Sequence, residues 1–265
     1  MQLSVAIATY NEEDNIKNCL DSVSSWVKEI VIVDGGSDDK TLDIAQKYNA
    51  KIIKTDNPPN FHINKQKAIN ACTGDWILQL DADEVVTKEL KEEILGVISQ
   101  QLTANSQQLA NGYWIPRKNY FLGTFLKKGG QYPDYTLRLY RNGKGRLPAK
   151  SVHEQAEVEG NTDYLHHPLL HYSYPNFAHY LDHFNRYTSI MATELEEKKV
   201  SLGIFSFLKF MIIYPKLWFL STFIRHKGFV DGIPGFTFSL FSALRFPASY
   251  IKYWEKYHNK KSPND

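Results

Sequence analysis

The first 100 residues of this 265-residue chain contain no arginine. They hold 10 lysines against 17 aspartates and glutamates, a balance of −7, so this half offers no basic surface for nucleic acid. Acids are nearly missing at the other end. Residues 198–261 carry 2 acidic and 11 basic residues, a balance of +9, which suggests nucleic acid or an anionic membrane surface. Phe205, Phe207, Phe210, Tyr214, Trp218, Phe219 and Phe223 lie there among aliphatics rather than along a basic strip, which favours the membrane and excludes nucleic acid. Cysteine is almost absent. Cys19 and Cys72 fall in segments that read as amphipathic helices, so buried free thiols are expected rather than a disulfide framework. There is no internal repeat, and no low-complexity stretch beyond the polar tail at 259–265. Leu3 to Thr9 already reads as a strand, so no signal peptide is expected and substrates would be met on the cytoplasmic side.

What is present alternates. Leu3 to Ala8, Ile30 to Val33, Ala50 to Lys54 and Trp76 to Leu80 are short apolar runs of the kind expected for parallel strands covered on both faces. Between them lie helical spacings: Ile16, Cys19, Leu20 and Val23, then Thr41 to Tyr48, then residues 62–72. Four strands alternating with helices predict an α/β fold with a mostly parallel sheet wound by right-handed crossovers. A helix near 88–101 follows. Tyr113 to Phe121, Tyr135 to Tyr140, Ser151 to Glu157 and Tyr164 to His171 then read as strands, and helices dominate from Asn176 to about Tyr257.

The chemistry is concentrated at Asp81-Ala82-Asp83-Glu84, where the fourth strand ends in crowded carboxylates. Such a cluster is self-repelling unless a cation sits in it, and hard divalent ions such as Mg²⁺ or Mn²⁺ take carboxylate oxygens while leaving positions for phosphates. Open α/β sheets bind ligands at the carboxyl ends of their strands. Thr9, Asn11 and Glu12 follow strand one, Asp34 follows strand two, and Asp81 and Asp83 follow strand four, so all gather on one edge. Gly35-Gly36 lacks the G-x-G-x-x-G spacing and follows the second strand, which argues against a dinucleotide site. His166, His167, His171 and His179 match no zinc signature and are expected in loop or interface roles.

Three segments, Ala8-Thr9-Tyr10-Asn11-Glu12, Val33-Asp34-Gly35-Gly36-Ser37-x-Asp39-x-Thr41 and Asp81-Ala82-Asp83, resemble in order and spacing the family 2 glycosyltransferases, which have the GT-A fold. Tyr132-Pro133-Asp134, Arg138-Leu139, Val152-His153-Glu154 and Lys227-Gly228-Phe229-Val230-Asp231-Gly232 narrow this resemblance to the branch with lipopolysaccharide core glucosyltransferases. The resemblance implies a catalytic domain over 1–172, its first hundred residues binding a nucleotide sugar and 101–172 facing the acceptor, followed by a helical extension over 173–258. It implies donor contacts from Thr9, Asn11, Glu12, Asp34, Lys65 and Asp81, and Mg²⁺ or Mn²⁺ on Asp83, Asp81 and His153. Asp134 stands where the family has its general base, with Glu154 as its rival and Arg138 as a possible ion-pair partner. Gly129-Gly130 is similar to the flexible glycine loop of these enzymes.

The resulting expectation is an inverting, metal-dependent transfer from a nucleoside-diphosphate sugar, UDP-linked by preference, to a cell-envelope glycan or lipid-linked acceptor. A sugar-activating nucleotidyltransferase would need a Gly-rich basic loop after strand one, where Thr9-Tyr10-Asn11-Glu12 is acidic and glycine-free. A non-catalytic nucleotide-binding membrane protein would need no base. Residues 203–225 are long and apolar enough to suggest a membrane span, but Lys209, Pro215 and Lys216 fall in the middle. An interfacial helix on the inner face of the cytoplasmic membrane is expected, with Lys198, Lys199, Arg225, Lys227, Lys252 and Lys256 drawn to anionic headgroups.

Overall fold

The computed structural model describes residues 1–100, 110–148 and 155–261. They form two compact units, Met1–Lys118 with Pro133–Tyr172, and Asn119–Tyr132 with Ser173–Asp265. The first unit opens with β1 (Leu3–Thr9), α1 (Ile16–Val23), β2 (Glu29–Asp34), α2 (Thr41–Gln46), β3 (Lys51–Lys54), α3 (His62–Asn70) and β4 (Trp76–Asp81). All pairings among these four strands are parallel, with β1 between β2 and β4. Their runs are continuously apolar because each face meets its own core. Val5, Ile7, Ile32 and Leu78 pack with α1 on one side, whereas Ala6, Val31, Val33 and Ile77 pack with Ala68 and Ile69 of α3 on the other. Cys19 and Cys72 are buried free thiols, and Cys72 lies just past the end of α3.

Next come β5 (Glu84–Val86), α4 (Lys88–Gln100), β6 (Gly112–Phe121), β7 (Thr124–Phe125), β8 (Asp134–Arg141), β9 (Gly145–Arg146), β10 (Glu157–Val158), β11 (Thr162–Tyr164) and β12 (Leu169–His171). The sheet runs β3-β2-β1-β4-β8-β6-β12-β5. β8 lies antiparallel to both β4 and β6, and β12 is antiparallel to β5 with His171 opposite Glu84. Two differences from the sequence reading matter. Between the acidic tip and the helix near 88–101 the chain forms the three-residue strand β5, of which the sequence shows no sign. The strand expected over Tyr164 to His171 breaks into β11 and β12, because Pro168 cannot donate to a ladder. Most of the strand expected at Ser151 to Glu157 lies outside the described residues, which resume before β10.

In the second unit, α5 (Phe177–Glu197) starts at Asn176, whose side chain accepts the His179 N–H at 2.9 Å. A continuous helical run then covers Ile204–Arg225: α6 (Ile204–Leu208), a π turn at Lys209–Ile213, α7 (Tyr214–Phe219) and a second π turn at Leu220–Arg225. Pro215 explains the first widening, since its ring clashes with the carbonyl one turn back and it has no N–H to give. Each π turn holds extra residues, so a stripe spaced by four (Phe210, Tyr214, Trp218 and Thr222) keeps one bearing along the run. That stripe meets α8 (Gly232–Lys261): Phe210 stacks on Tyr250, Tyr214 and Trp218 meet Phe246, and Trp218 Nε1 donates to Ser242 Oγ at 3.2 Å. The run's other side is bare: Phe205 is 86% exposed, and Leu208, Ile212, Ile213, Leu217, Leu220 and Ile224 are exposed too. This run is therefore not an ordinary buried helix.

Candidate active site

Two loops at the carboxyl edge of the parallel strands are stitched together. After β1, Asn11 takes a left-handed turn (φ 54°), which brings the following N–H groups onto the loop after β2. Asn11 N–H donates to Ser37 Oγ (2.9 Å), Glu12 N–H to Thr41 Oγ1 (2.8 Å) and Glu13 N–H to Asp39 Oδ2 (3.0 Å). Asn11 Oδ1 in return accepts Asp38 N–H, and Glu13 accepts Lys40 N–H, each at 3.0 Å. Asp34 is fully buried and holds its own turn. It accepts from Gly36 N–H and Ser37 N–H at 3.0 Å and from the Ser37 hydroxyl at 2.5 Å. Gly36 permits that turn because its φ is +89°. The Thr9 hydroxyl is buried beside these loops without a partner among the described residues, a polar orphan at a strand tip that a ligand could satisfy.

At the end of β4 the expected repulsion is relieved by the protein's own cations. Asp81 Oδ1 is ion-paired with the buried Lys65, and Oδ2 takes Arg138 Nη2 at 2.6 Å. Burial alone would raise the Asp81 pKa, but Arg138 and Lys65 outweigh it and hold the carboxyl well below its usual range. Glu84, fully buried, accepts Asp81 N–H at 2.8 Å and Arg138 Nη2 at 2.7 Å, with Arg117 Nη1 at 3.5 Å. Arg138 also donates to Gln79 Oε1. Beside it, Arg117 and Asp134 stand opposite each other on β6 and β8, joined through Nε at 3.0 Å and Nη2 at 2.7 Å to one carboxylate oxygen. The arginine bonded to the candidate base is therefore Arg117. Arg138, expected in that role, is engaged with Asp81, Glu84 and Gln79.

Asp83 takes a different partner. The Tyr172 N–H donates to the Asp83 carbonyl at 2.9 Å, and β12 pairs with β5, so His171 Nε2 comes to 3.2 Å from Asp83 Oδ2. His171, expected in a loop or interface, thus belongs to the acidic tip, while His166 and His167 cap Glu93 through their N–H groups. Burial pushes the Asp83 pKa up, but His171 more than offsets it and leaves the carboxyl below its ordinary value. Val152, His153 and Glu154 lie outside the described residues. Among the described residues, no three His, Cys, Asp or Glu side chains gather as a metal cage. The pair Asp83 and His171 offers one hard oxygen and one imidazole, which fits an ion that keeps open positions for phosphate oxygens and water.

The sequence pattern of the family Glycosyl transferase family 2 matches residues 4–153, more than half of the chain. The chain belongs to glycosyl transferase family 2. Over its whole length it is 28% identical to the lipopolysaccharide core biosynthesis glycosyltransferase LpsC of Rhizobium meliloti, spanning 96% of that protein. An uncharacterized glycosyltransferase of Rickettsia felis is 29% identical over 92% of this chain and 87% of its own length. Among solved structures, S. aureus TarS superposes with a TM-score of 0.50 at 21% identity, over 88% of this chain and 46% of TarS. The chain spans less than half the length of TarS, and this likeness is one of fold. The fold is GT-A and the protein is a glycosyltransferase.

In this family 2 enzyme the sequence reading missed Gln79, Glu84, Arg117 and His171. Gln79 and Arg117 sit inside strand patterns, where a polar residue facing a site is indistinguishable from one facing solvent. Glu84 stands among the crowded carboxylates of the sequence, but its tie to Arg138 depends on a strand more than fifty residues later.

Glu12 supplies a pH-dependent prediction. Burial raises its pKa from 4.5 to about 7, against a lowering hydrogen bond from Asn15 and with Asp83 and Asp81 adding repulsion. A folded-state pKa raised this way contributes stability that is complete below pH 4.5 and is lost as pH rises through 7. In chelator, Glu12→Gln therefore melts at nearly the wild-type temperature at pH 4.5 and higher than wild type at pH 8, a gain of about 2 kcal/mol after discounting for partial exposure. Melting curves from pH 4.5 to 8.5 check this; parallel curves for the two proteins would refute it.

Proposed function

We propose that the protein is an inverting glycosyltransferase that moves a sugar from a nucleoside diphosphate, UDP by preference, to a cell-envelope glycan or lipid-linked acceptor in lipopolysaccharide or lipooligosaccharide core assembly. One observation carries the chemistry: Asp134, clamped by Arg117, stands beside a strand tip whose carboxylates are already charge-balanced. LpsC, similar over the whole chain and named for core biosynthesis, supports the acceptor class.

The stitched loops after β1 and β2 present the Thr9 hydroxyl and the Asp34 turn to the nucleoside. Asp83 and His171 would hold Mg²⁺ or Mn²⁺, with Asp81 adjacent. When bound, that ion supplies neutralising charge for the departing diphosphate. Lys65 and Arg138 add fixed positive charge around Asp81, so the edge is not purely acidic when a diphosphate arrives. Asp134 takes the proton from the acceptor hydroxyl as that oxygen attacks the anomeric carbon. Arg117 holds one Asp134 oxygen, which fixes the carboxylate in place at the site. A single displacement inverts configuration, so an α-linked donor gives a β-linked product.

Incubation with a panel of radiolabelled nucleotide sugars tests the reading. Transfer or slow donor hydrolysis supports it; diphosphate exchange, or binding without turnover, overturns it. In the same assay Asp134→Asn lowers turnover by roughly a hundredfold or more with donor affinity nearly unchanged, the usual size of a general-base contribution. If Glu154→Gln is the inactive variant and Asp134→Asn turns over normally, the base is Glu154.

The same proposal places the enzyme on the cytoplasmic face of the membrane. The Ile204–Arg225 run has a mean hydropathy of 1.4 in its most apolar window, and only 11% of that window is buried. A bare apolar face of that size on a strongly basic segment fits an interfacial helix better than a surface left in water. Bound there, the second unit keeps the attached catalytic unit where lipid-linked acceptors reside.

A further inference from the structure

Three of the six basic residues that the sequence offers to headgroups are committed within the second unit. Lys252 donates to Asn185, Thr188 and Ser189 of α5, Lys256 pairs with Glu196, and Lys198 lies 3.4 Å from Glu194. Cations gather elsewhere in the second unit, where two distant segments are tied together. Asp231 accepts the Lys127 N–H (3.1 and 3.0 Å to its two oxygens) and the Lys128 N–H (2.8 Å). Next to them, Gly129 N–H donates to the His226 carbonyl at 2.9 Å. The glycine pair expected to be a flexible loop is thus fastened here, in left-handed conformations (φ +67° and +76°) that Gly129 and Gly130 adopt without strain. The turn beneath is equally tight: Lys227 is left-handed (φ 57°), and a side chain at Gly235 would run into the Gly228 carbonyl.

The knot is made from main-chain N–H groups and one carboxylate, so it leaves the cationic side chains unspent. Lys127, Lys128, Arg225 and Lys227 are all exposed, and none makes an ion pair among the described residues. Four cations therefore lie on the two segments that a single carboxylate ties together. Apolar side chains stand in the same turn: Phe229 and Val230 are half exposed, and Ile233 is 79% exposed. This turn continues directly from the bare apolar face of Ile204–Arg225.

The geometry points to this knot as the membrane anchor of the enzyme: Lys127, Lys128, Arg225 and Lys227 hold the phosphates of anionic lipid headgroups while Phe229, Val230 and Ile233 enter the acyl boundary. The inference rests on the interfacial reading of Ile204–Arg225, and it assigns headgroup recognition to one point rather than to a basic charge spread along the C-terminal segment. Charge complementarity selects the occupant, because the exposed apolar wedge beside the cations suits a bilayer and has no use for a soluble phosphate.

Flotation of the full chain with phosphatidylcholine vesicles, with and without 30% phosphatidylglycerol, tests it. Wild type floats with anionic vesicles at low salt and is released in high salt. Lys127→Glu/Lys128→Glu weakens that binding by roughly tenfold or more, whereas Lys198→Glu/Lys199→Glu changes it less than about twofold. The first pair leaves the main-chain donors of the knot in place, since Asp231 binds backbone N–H groups; an unchanged melting temperature checks that the fold is intact. Ile233→Ser lowers binding as well. If Trp218→Ser/Phe219→Ser abolishes flotation while Lys127→Glu/Lys128→Glu floats like wild type, the knot is refuted and the interfacial helix survives. If wild type ignores anionic vesicles at low salt, both readings fall. Release by inorganic phosphate at the lipid's phosphate concentration and constant ionic strength would refute the lipid and indicate a soluble phosphate ligand.

Discussion

Asp83→Ala lowers sugar transfer by roughly a thousandfold, the scale of the several kcal/mol that a bound ion contributes to a developing diphosphate charge. Asp83 is singled out over Asp81 because their partners differ. Both Asp81 oxygens are taken by Lys65 and Arg138, whereas Asp83 is paired, among the described residues, with the imidazole of His171. A divalent ion can displace a proton from that imidazole and use both groups, but at Asp81 it would compete with two fixed cations. His171→Ala should fall in the same direction by a smaller factor. The fold should survive Asp83→Ala, since the variant relieves an acidic cluster and leaves no buried cation unpaired. Initial rates over a Mn²⁺ titration, with an EDTA control, decide the matter. Full activity in EDTA, or an undiminished Asp83→Ala enzyme, would remove the metal from the mechanism.

Arg138→Met should be the costliest single change to stability, about 3–5 kcal/mol, the range for breaking a buried ion pair from one side. Arg138 is buried and binds Glu84, itself fully buried, as well as Asp81 and Gln79. Burial opposes its charge, but Asp81 and Glu84 raise its pKa far beyond the ordinary arginine value, so the guanidinium stays ionised. Without it, Asp81 and Glu84 are left as like charges in a poorly solvated place. Asp81 then loses the main partner that holds its pKa down, so the deficit of the variant shrinks as pH falls from 8 towards 5. Urea unfolding should show a lower midpoint with an unchanged slope, and adding Glu84→Gln should recover part of the loss. A midpoint equal to wild type would mean that the network contributes no net stability.

How much of this was readable in the sequence follows from distance along the chain and from period. β1, β2 and β4 could be read because strands buried on both faces are unbroken apolar runs, and their carboxyl ends fix where Thr9, Asn11, Glu12, Asp34, Asp81 and Asp83 collect. The partners of those residues could not be read. His171 reaches Asp83 only because β5, three residues long, pairs with β12, and a strand of that length has no detectable alternation. Arg117 and Asp134 meet through the register of β6 on β8, which no local pattern encodes. The same holds for Asp231, which looked like one residue of a late motif and instead fastens a loop 104 positions earlier.

The four-residue stripe of the Ile204–Arg225 run makes that helix a matter of counting rather than of composition. Any apolar residue can stand on its outer side, since that face makes no specific contact with α8. One residue more or less is another matter. Removing a single position from α7 ahead of Trp218, where the geometry stays α on either side of the cut, would rotate everything downstream by about 100°. Trp218 would swing off Phe246 and Ser242, and the greasy outer face would turn inwards against a helix that has no room for it. Homologous chains are therefore free to vary in the letters of this segment, but not in its length.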